Sequence, residues 1–202
     1  IDLRNNIFVN TSQNTGTMGK TVAILSRTTN TGFFTSNFNN LYAGTPGPEN
    51  LIFFNGTTAA QTLVDYKTFI TPQELQSVTE LPPFVNIAAR PYDLHLKTNV
   101  PTQCESGGTV VSSPLAITTD IDGNPRFPNP GYPVNIFYTP NAPDIGADEF
   151  GGVASDLIPP AINFTPVPNV SNANPVTLTT GITDGTGVPT SGIGLPRLFW
   201  KK

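Results

Sequence analysis

Few residues in this chain could do chemistry, and they concentrate between positions 93 and 150. The chain carries one histidine and one cysteine, His95 and Cys104, which stand nine positions apart. A thiolate nucleophile needs a neighbouring cation to lower its pKa. Cys104 lies among turn formers in Pro101-Thr102-Gln103-Cys104-Glu105, on a different predicted strand from His95. The simpler reading is a small, semi-buried side chain, and a lone cysteine forms no intrachain disulfide. A structural zinc site of the usual cysteine and histidine type is excluded by ligand count. His95 sits between Leu94 and Leu96, so its face is opposite theirs, and a core or semi-buried, hydrogen-bonded histidine is the expectation over a ligand.

The carboxylates offer more. Asp120-Ile121-Asp122-Gly123-Asn124 places oxygen ligands at alternate positions with a glycine for a sharp turn, the kind of loop calcium prefers. Asp120, Asp122 and Asn124 are therefore the candidate metal ligands, with calcium as the candidate ion. The distal bidentate glutamate of an EF-hand would fall at residue 131, which is Gly131, so that pattern fails. The competing reading is a turn whose Asp side chains bond backbone amides, with Arg126 paired to Asp122, Asp144 or Asp148. Asp144, Asp148 and Glu149 form an acidic cluster with Arg126 as the obvious partner. A carboxylate pair could perform glycosidase acid/base work at a separation of about 5–10 Å. Around them, Arg126, Asp144, Asp148 and His95 read as structural residues. Phe33, Phe34, Phe38 and Tyr42 could stack on sugar rings, although aromatic residues more often fill a core. Sequons at Asn10, Asn55, Asn163 and Asn169 matter only in a glycosylating source.

The elements that would carry these residues follow from composition and period. The chain has 202 residues, Lys+Arg 10 against Asp+Glu 14, 18 Gly and 21 Pro, and only 12% charged residues. That balance excludes long helices and a coiled coil. A net charge of −4 excludes a basic nucleic-acid platform, and no apolar run reaches the roughly 18 residues of a membrane span. The start at Ile1, without Met or a signal peptide, reads as a mature product or an excised piece.

Residues 1–9 alternate as a strand with a polar break at Asn5, and strands are expected at 21–25 and 51–54. Asn5-Asn6-Ile7-Phe8 returns as Asn39-Asn40-Leu41-Tyr42, a repeat of the solenoid kind in which equivalent Asn side chains could bond between coils. Two short helices are expected within 58–78. Thr58 to Gln61 would be a capping box, Leu63, Tyr66 and Ile70 would share one face, and Thr71-Pro72-Gln73-Glu74 would open the second helix with Leu75 and Val78 inward. Strand and turn then alternate at 84–85, 94–96, 110–111 and 116–117. A linker at 151–160 precedes strands at 161–164, 176–182 and 195–200.

Several phrases together resemble a known family. Pro82-Pro83-Phe84-Val85, Tyr92-Asp93-Leu94-His95-Leu96, Asp120 to Arg126 and Pro143-Asp144-Ile145-Gly146-Ala147-Asp148-Glu149-Phe150 resemble the C-terminal end of secreted right-handed parallel β-helix proteins of pectate-lyase-like architecture, common in the Bacteroidetes. The likeness covers residues 1–150. Residues 156–202 resemble part of the Ig-like modules that often follow such helices. The resemblance implies an all-β chain: β-helix coils over 1–150 and a short Ig-like β-sandwich segment over 161–202 that its strand count leaves incomplete. It implies a non-catalytic structural or adhesive segment, extracellular or on the cell surface. The alternatives are the terminal part of a polysaccharide lyase or other carbohydrate-active β-helix enzyme, or a carbohydrate-binding module. The expected partners are extracellular polysaccharide or neighbouring subunits, through strand-mediated association, with no nucleic acid and no membrane span. An unfinished sandwich would leave Phe199 and Trp200 exposed and call for completion from outside the module.

Overall fold

The computed structural model describes residues 1–13, 19–27, 35–128, 142–156, 160–166, 176–184, 187–188, 190 and 196–197. The chain forms two compact units, Ile1–Ser155 and Asp156–Lys202. The division falls inside the stretch read as a linker, part of which is a strand of the first unit. The described chain is mostly strand with one short helix, and so all-β in class.

Three short strands open the first unit: β1 (Asp2–Arg4), β2 (Ile7–Val9) and β3 (Thr21–Leu25). Three more follow in the same order: β4 (Thr35–Asn37), β5 (Asn40–Tyr42) and β6 (Asn50–Phe54). Each of the first three pairs in parallel with its counterpart, Leu3 beside Ser36, Phe8 beside Leu41 and Val22 beside Leu51. The chain therefore lays one turn of three strands against the next. A third layer begins at Val78, which bridges Asn40 in parallel. The expected single strand over 1–9 is two strands, because Asn5 bends the chain at φ +57, a left-handed conformation that asparagine tolerates better than most residues. Phe38 occupies the same place between β4 and β5 at φ +56.

Apolar residues fill the space between β2, β3, β5 and β6. Leu41, Ile52 and Phe53 are buried there, with Phe8, Ala23 and Ile24 packed against them. A short strand β7 (Ala59–Ala60) pairs antiparallel with Phe53–Phe54 and leads into α1 (Leu63–Ile70). Leu63, Tyr66 and Ile70 point into the core as the helical period requires, and the Tyr66 ring stacks on Phe53 with centroids 4.7 Å apart. The helix cap is Thr62, not Thr58. Thr62 Oγ1 accepts from the Asp65 N–H at 3.1 Å, and the Asp65 carboxylate accepts from the Thr62 N–H. Thr58 is passed over because the two residues after it are held in β7. The second helix does not form. Thr71 terminates α1, residues 71–76 are turns, and Leu75 is exposed, whereas Val78 packs into a second apolar cluster. Glu74, expected to close a cap, instead turns inward at φ +57 and is fully buried.

That inward turn completes a polar stack across the three layers. Asn39 Oδ1 accepts the Asn6 N–H at 2.9 Å, Asn39 Nδ2 donates to the Leu3 carbonyl at 2.8 Å, and the Asn39 N–H donates to Ser77 Oγ at 2.9 Å. The Glu74 carboxylate accepts from the hydroxyls of Ser36 and Ser77 and from Asn39 Nδ2. Beside it, Asn40 Nδ2 donates to the Glu80 carbonyl at 3.0 Å and Asn40 Oδ1 accepts the Glu80 N–H at 2.9 Å.

The remainder of the unit is turn-rich. An antiparallel pair, β8 (Phe84–Asn86) and β9 (Asp93–Leu96), carries a register shift between Phe84 and Asn86. β10 (Pro101–Thr102) pairs in parallel with β11 (Val153–Ala154). The strands expected at 110–111 and 116–117 are absent, and one backbone bond, from the Ile117 N–H to the Val111 carbonyl, links the two segments. Leu96, Cys104, Ile145 and Phe150 form the second buried cluster, joined by Ile7 and Phe84.

In the second unit, β12 (Ala161–Phe164) pairs antiparallel with β13 (Thr180–Thr183). Ile162 and Phe164 lie on one face and are each 60% exposed. The strand expected at 195–200, with Phe199 and Trp200, falls almost wholly outside the described residues.

Asn39 is fully buried and replaces water with four named partners. Truncating it strands the Asn6 N–H and the Leu3 carbonyl. Asn39→Ala is expected to cost about 1–3 kcal/mol, read as a lower urea midpoint at unchanged slope.

Candidate functional site

The phrase 142–152 folds as a clasp. Its backbone is tied to distant turns: the Ile145 N–H donates to the Cys104 carbonyl at 2.8 Å, the Gly146 N–H to the Asn5 carbonyl at 2.9 Å, and the Gly108 N–H to the Pro143 carbonyl at 2.7 Å. Gly146 requires its glycine, since its φ is +125 and an added Cβ would lie 2.9 Å from Ile7 Cδ1. The side chains close the clasp from within. Arg126 Nε meets Glu149 Oε2 at 2.8 Å, with both side chains almost wholly buried. Arg126 Nη1 donates to the Gly146 carbonyl at 2.8 Å and Nη2 to that of Asp144 at 2.6 Å. Asp144 Oδ1 accepts the Ser106 N–H at 2.6 Å, and Oδ2 accepts the Phe150 N–H at 2.8 Å. Glu105 accepts the Gly152 N–H at 2.7 Å.

Burial dominates the electrostatics here. It pushes the Asp144 carboxyl up to about 9, with the neighbouring charges of Glu105 and Glu149 adding to the effect and the two N–H donors opposing it. Arg126 is thus committed to Glu149 and to two carbonyl oxygens rather than to the side chains of Asp122, Asp144 or Asp148. Cys104 is fully buried, and burial raises its thiol far above the usual range, which removes it as a nucleophile.

The second group of candidates lies at the surface. His95 is exposed, not in the core, because Leu96 alone of its flanking leucines turns inward. Its Nδ1 lies 2.6 Å from Asp93 Oδ1 and its Nε2 lies 3.0 Å from Asp122 Oδ2. Ligand atoms of His95, Asp122 and Asp148 all lie within 4.8 Å of one another. Asp93, then Asp122, and then the charge of Asp148 push the imidazole up to about 9. Asp148 is raised by burial first, with Asp120 and Asp122 repelling it and His95 opposing.

The Asp120 loop is closed on itself. Asp120 Oδ1 accepts the N–H groups of Asp122 at 2.9 Å and Asn124 at 2.7 Å, and Oδ2 accepts from Asn124 Nδ2 at 3.1 Å and the Glu149 N–H at 3.3 Å. Partial burial works against the Asp120 carboxylate, but these donors hold it below its ordinary value. The structure thus brings Asp122 to His95 and Asp148, and leaves Asp120 and Asn124 bonded to each other.

A groove of about 720 Å³ runs beside β2, with Phe84, Leu94 and Ile117 among its apolar walls and Arg4 and Asn6 among its polar ones. Phe38 and Tyr42 are half-buried away from these clusters, and Phe33 and Phe34 lie outside the described residues. Two sequon asparagines are engaged in turns, Asn10 with Ser12 and Asn55 with Thr57 and Thr58. Asn163 is exposed in β12, and Asn169 lies outside the described residues. Sequence reasoning missed the buried acids Glu74 and Glu105, for nothing in their local phrases separates them from surface glutamates. No protein-family profile, curated protein or solved structure matches this chain.

Two outcomes are expected. Arg126→Ala leaves the Glu149 carboxylate buried without its cation and should cost about 3–5 kcal/mol in chemical denaturation. His95 is the only histidine, so its ring protons are assignable directly by NMR and should titrate near pH 9. Because the folded value lies above the ordinary 6.5, the histidine's contribution to stability is complete below about pH 6.5 and is lost as pH rises through about 9. His95→Gln should remove that part of the pH slope.

Proposed function

We propose that this chain is a non-catalytic structural or adhesive segment of an extracellular or cell-surface protein, built as the closing end of a right-handed parallel β-helix and followed by a partial Ig-like module. The observation that carries this reading is the parallel stacking of β1, β2 and β3 on β4, β5 and β6, with Asn39 bonded to the layer on either side. The chemistry-bearing residues support it as well. Arg126, Asp144, Glu149 and Asp120 spend their polar atoms on backbone amides, carbonyls and each other, which suits a closing clasp better than a site that must release and rebind a substrate. The extracellular location rests on composition, little charge with much glycine and proline.

The groove beside β2 favours a second reading, a carbohydrate-binding or carbohydrate-active segment, because it joins apolar walls to Arg4, Asn5 and Asn6. Incubation with pectin, alginate and glycosaminoglycans, with and without calcium, separates the two. The expected result is no release of unsaturated or reducing ends. Turnover that is lost in Asp148→Asn would replace the structural reading with the enzymatic one, and retention on a glycan array without turnover would replace it with the binding one.

A further inference from the structure

The cluster around His95 draws its members from three separated segments. His95 comes from β9, Asp122 from the turn after Thr119, and Asp148 from the clasp. Their ligand atoms converge within 4.8 Å. The donor set is mixed, one imidazole nitrogen and two carboxylates, which suits borderline divalent ions such as Zn²⁺ and does not suit calcium, whose ligands are oxygens. Asp93 holds Nδ1 at 2.6 Å, on the far side of the ring. That contact fixes the ring so that Nε2 is the nitrogen presented to Asp122 and Asp148, the arrangement in which an outer carboxylate orients a metal-bound histidine. Three carboxylates, Asp93, Asp122 and Asp148, act on this single imidazole, and Asp120 and Asp122 repel Asp148, a repulsion that a second cation would relieve.

We propose that His95, Asp122 and Asp148 form a binding site for a divalent transition-metal ion, which would tie β9, the 120–124 turn and the clasp together. The ion takes the place of the proton between His95 Nε2 and Asp122 Oδ2, so that one proton passes to solvent for each ion bound. Asp120 and Asn124 are not ligands, because their polar groups are spent on one another. The site strengthens a structural element and needs no substrate, so it stands apart from the reading of the chain as a closing segment.

Isothermal titration of the full chain with Zn²⁺, repeated in buffers of different ionisation enthalpy, tests the assignment. The expected result is one ion per chain with one proton released. Asp148→Asn and Asp122→Asn should each lose at least roughly 10-fold in affinity, and Asp93→Asn a similar factor through the orientation of the ring. Asp122 is exposed, so its variant should fold even where that of the half-buried Asp148 does not, and the apo circular dichroism spectrum of each variant checks this. Co²⁺ in place of Zn²⁺ should give visible absorption bands that vanish in His95→Gln. Absence of saturable binding at millimolar Zn²⁺ would overturn the proposal. So would binding unchanged in both Asp122→Asn and Asp148→Asn, or displacement of Zn²⁺ by equimolar Ca²⁺.

Discussion

The structure of the first unit depends on the buried amide of Asn39. Parallel strands pair along their backbones, but the bends between β1 and β2 and between β4 and β5 leave N–H and C=O groups that no strand ladder can reach. Asn39 supplies both missing partners at once, an acceptor for the Asn6 N–H and a donor for the Leu3 carbonyl, while its own N–H is taken by Ser77 in the next layer. One side chain therefore sets the stacking of three successive layers. Its position then dictates a buried acceptor on the other side, which is Glu74. That carboxylate is tolerable in the interior because the two serine hydroxyls and the asparagine amide all donate to it. The helical start that Thr71-Pro72-Gln73-Glu74 would otherwise form is given up for this contact.

The clasp solves the same problem with charge. Where the strands stop, the segment from Pro143 to Gly152 crosses the unit as irregular backbone, and irregular backbone placed against a core must find its hydrogen bonds elsewhere. Asp144 and Glu105 cap its amides and Arg126 caps its carbonyls. Three buried carboxylates beside one guanidinium carry a desolvation cost, and the upward displacement of Asp144 registers it. A chain with few charged residues thus places several of its charges inside, where each fixes backbone geometry, rather than on the surface.

Much of this was legible in the sequence, and the failures have physical causes. The apolar runs 21–25 and 51–54 read as strands because buried parallel strands leave a continuous apolar record. The repeated Asn-Asn phrase was real, but aligning its letters sets Asn5 against Asn39 and Ile7 against Leu41. The structure pairs Asn6 with Asn39 and Phe8 with Leu41. A slip of one residue exchanges the two faces of a strand, and here the interior needed the aromatic Phe8 over Leu41 while Ile7 was required against the second cluster. Thr62 escaped notice as a cap because Asp65 stands where glutamate or glutamine is usual. The alternation put His95 on the face opposite its leucines, and that is where it lies. The expectation of a core or semi-buried ring did not come from the alternation, and it is Leu94, exposed at the wall of the groove, that departs from the pattern beside the register shift between β8 and β9.

The candidate site was legible as a set of letters and not as a set of roles. Asp120 and Asp122 are two residues apart and look equivalent in the phrase Asp-Ile-Asp-Gly-Asn. The fold separates them through one backbone constraint. Asp120 begins the turn, so its carboxylate lies where the following N–H groups converge and is consumed by them. Asp122 sits at the tip, where no amide reaches its carboxylate in that way, and its oxygen is left to meet His95. The same division holds in the clasp. Asp144 and Glu149 face the backbone and are buried, whereas Asp148 faces the imidazole and is only half covered. Position within a turn or within the clasp thus sorts carboxylates of one composition into those that hold the chain and those that remain open to a cation. That sorting depends on contacts between residues far apart in sequence, such as His95 and Asp122, so no local pattern could have revealed it.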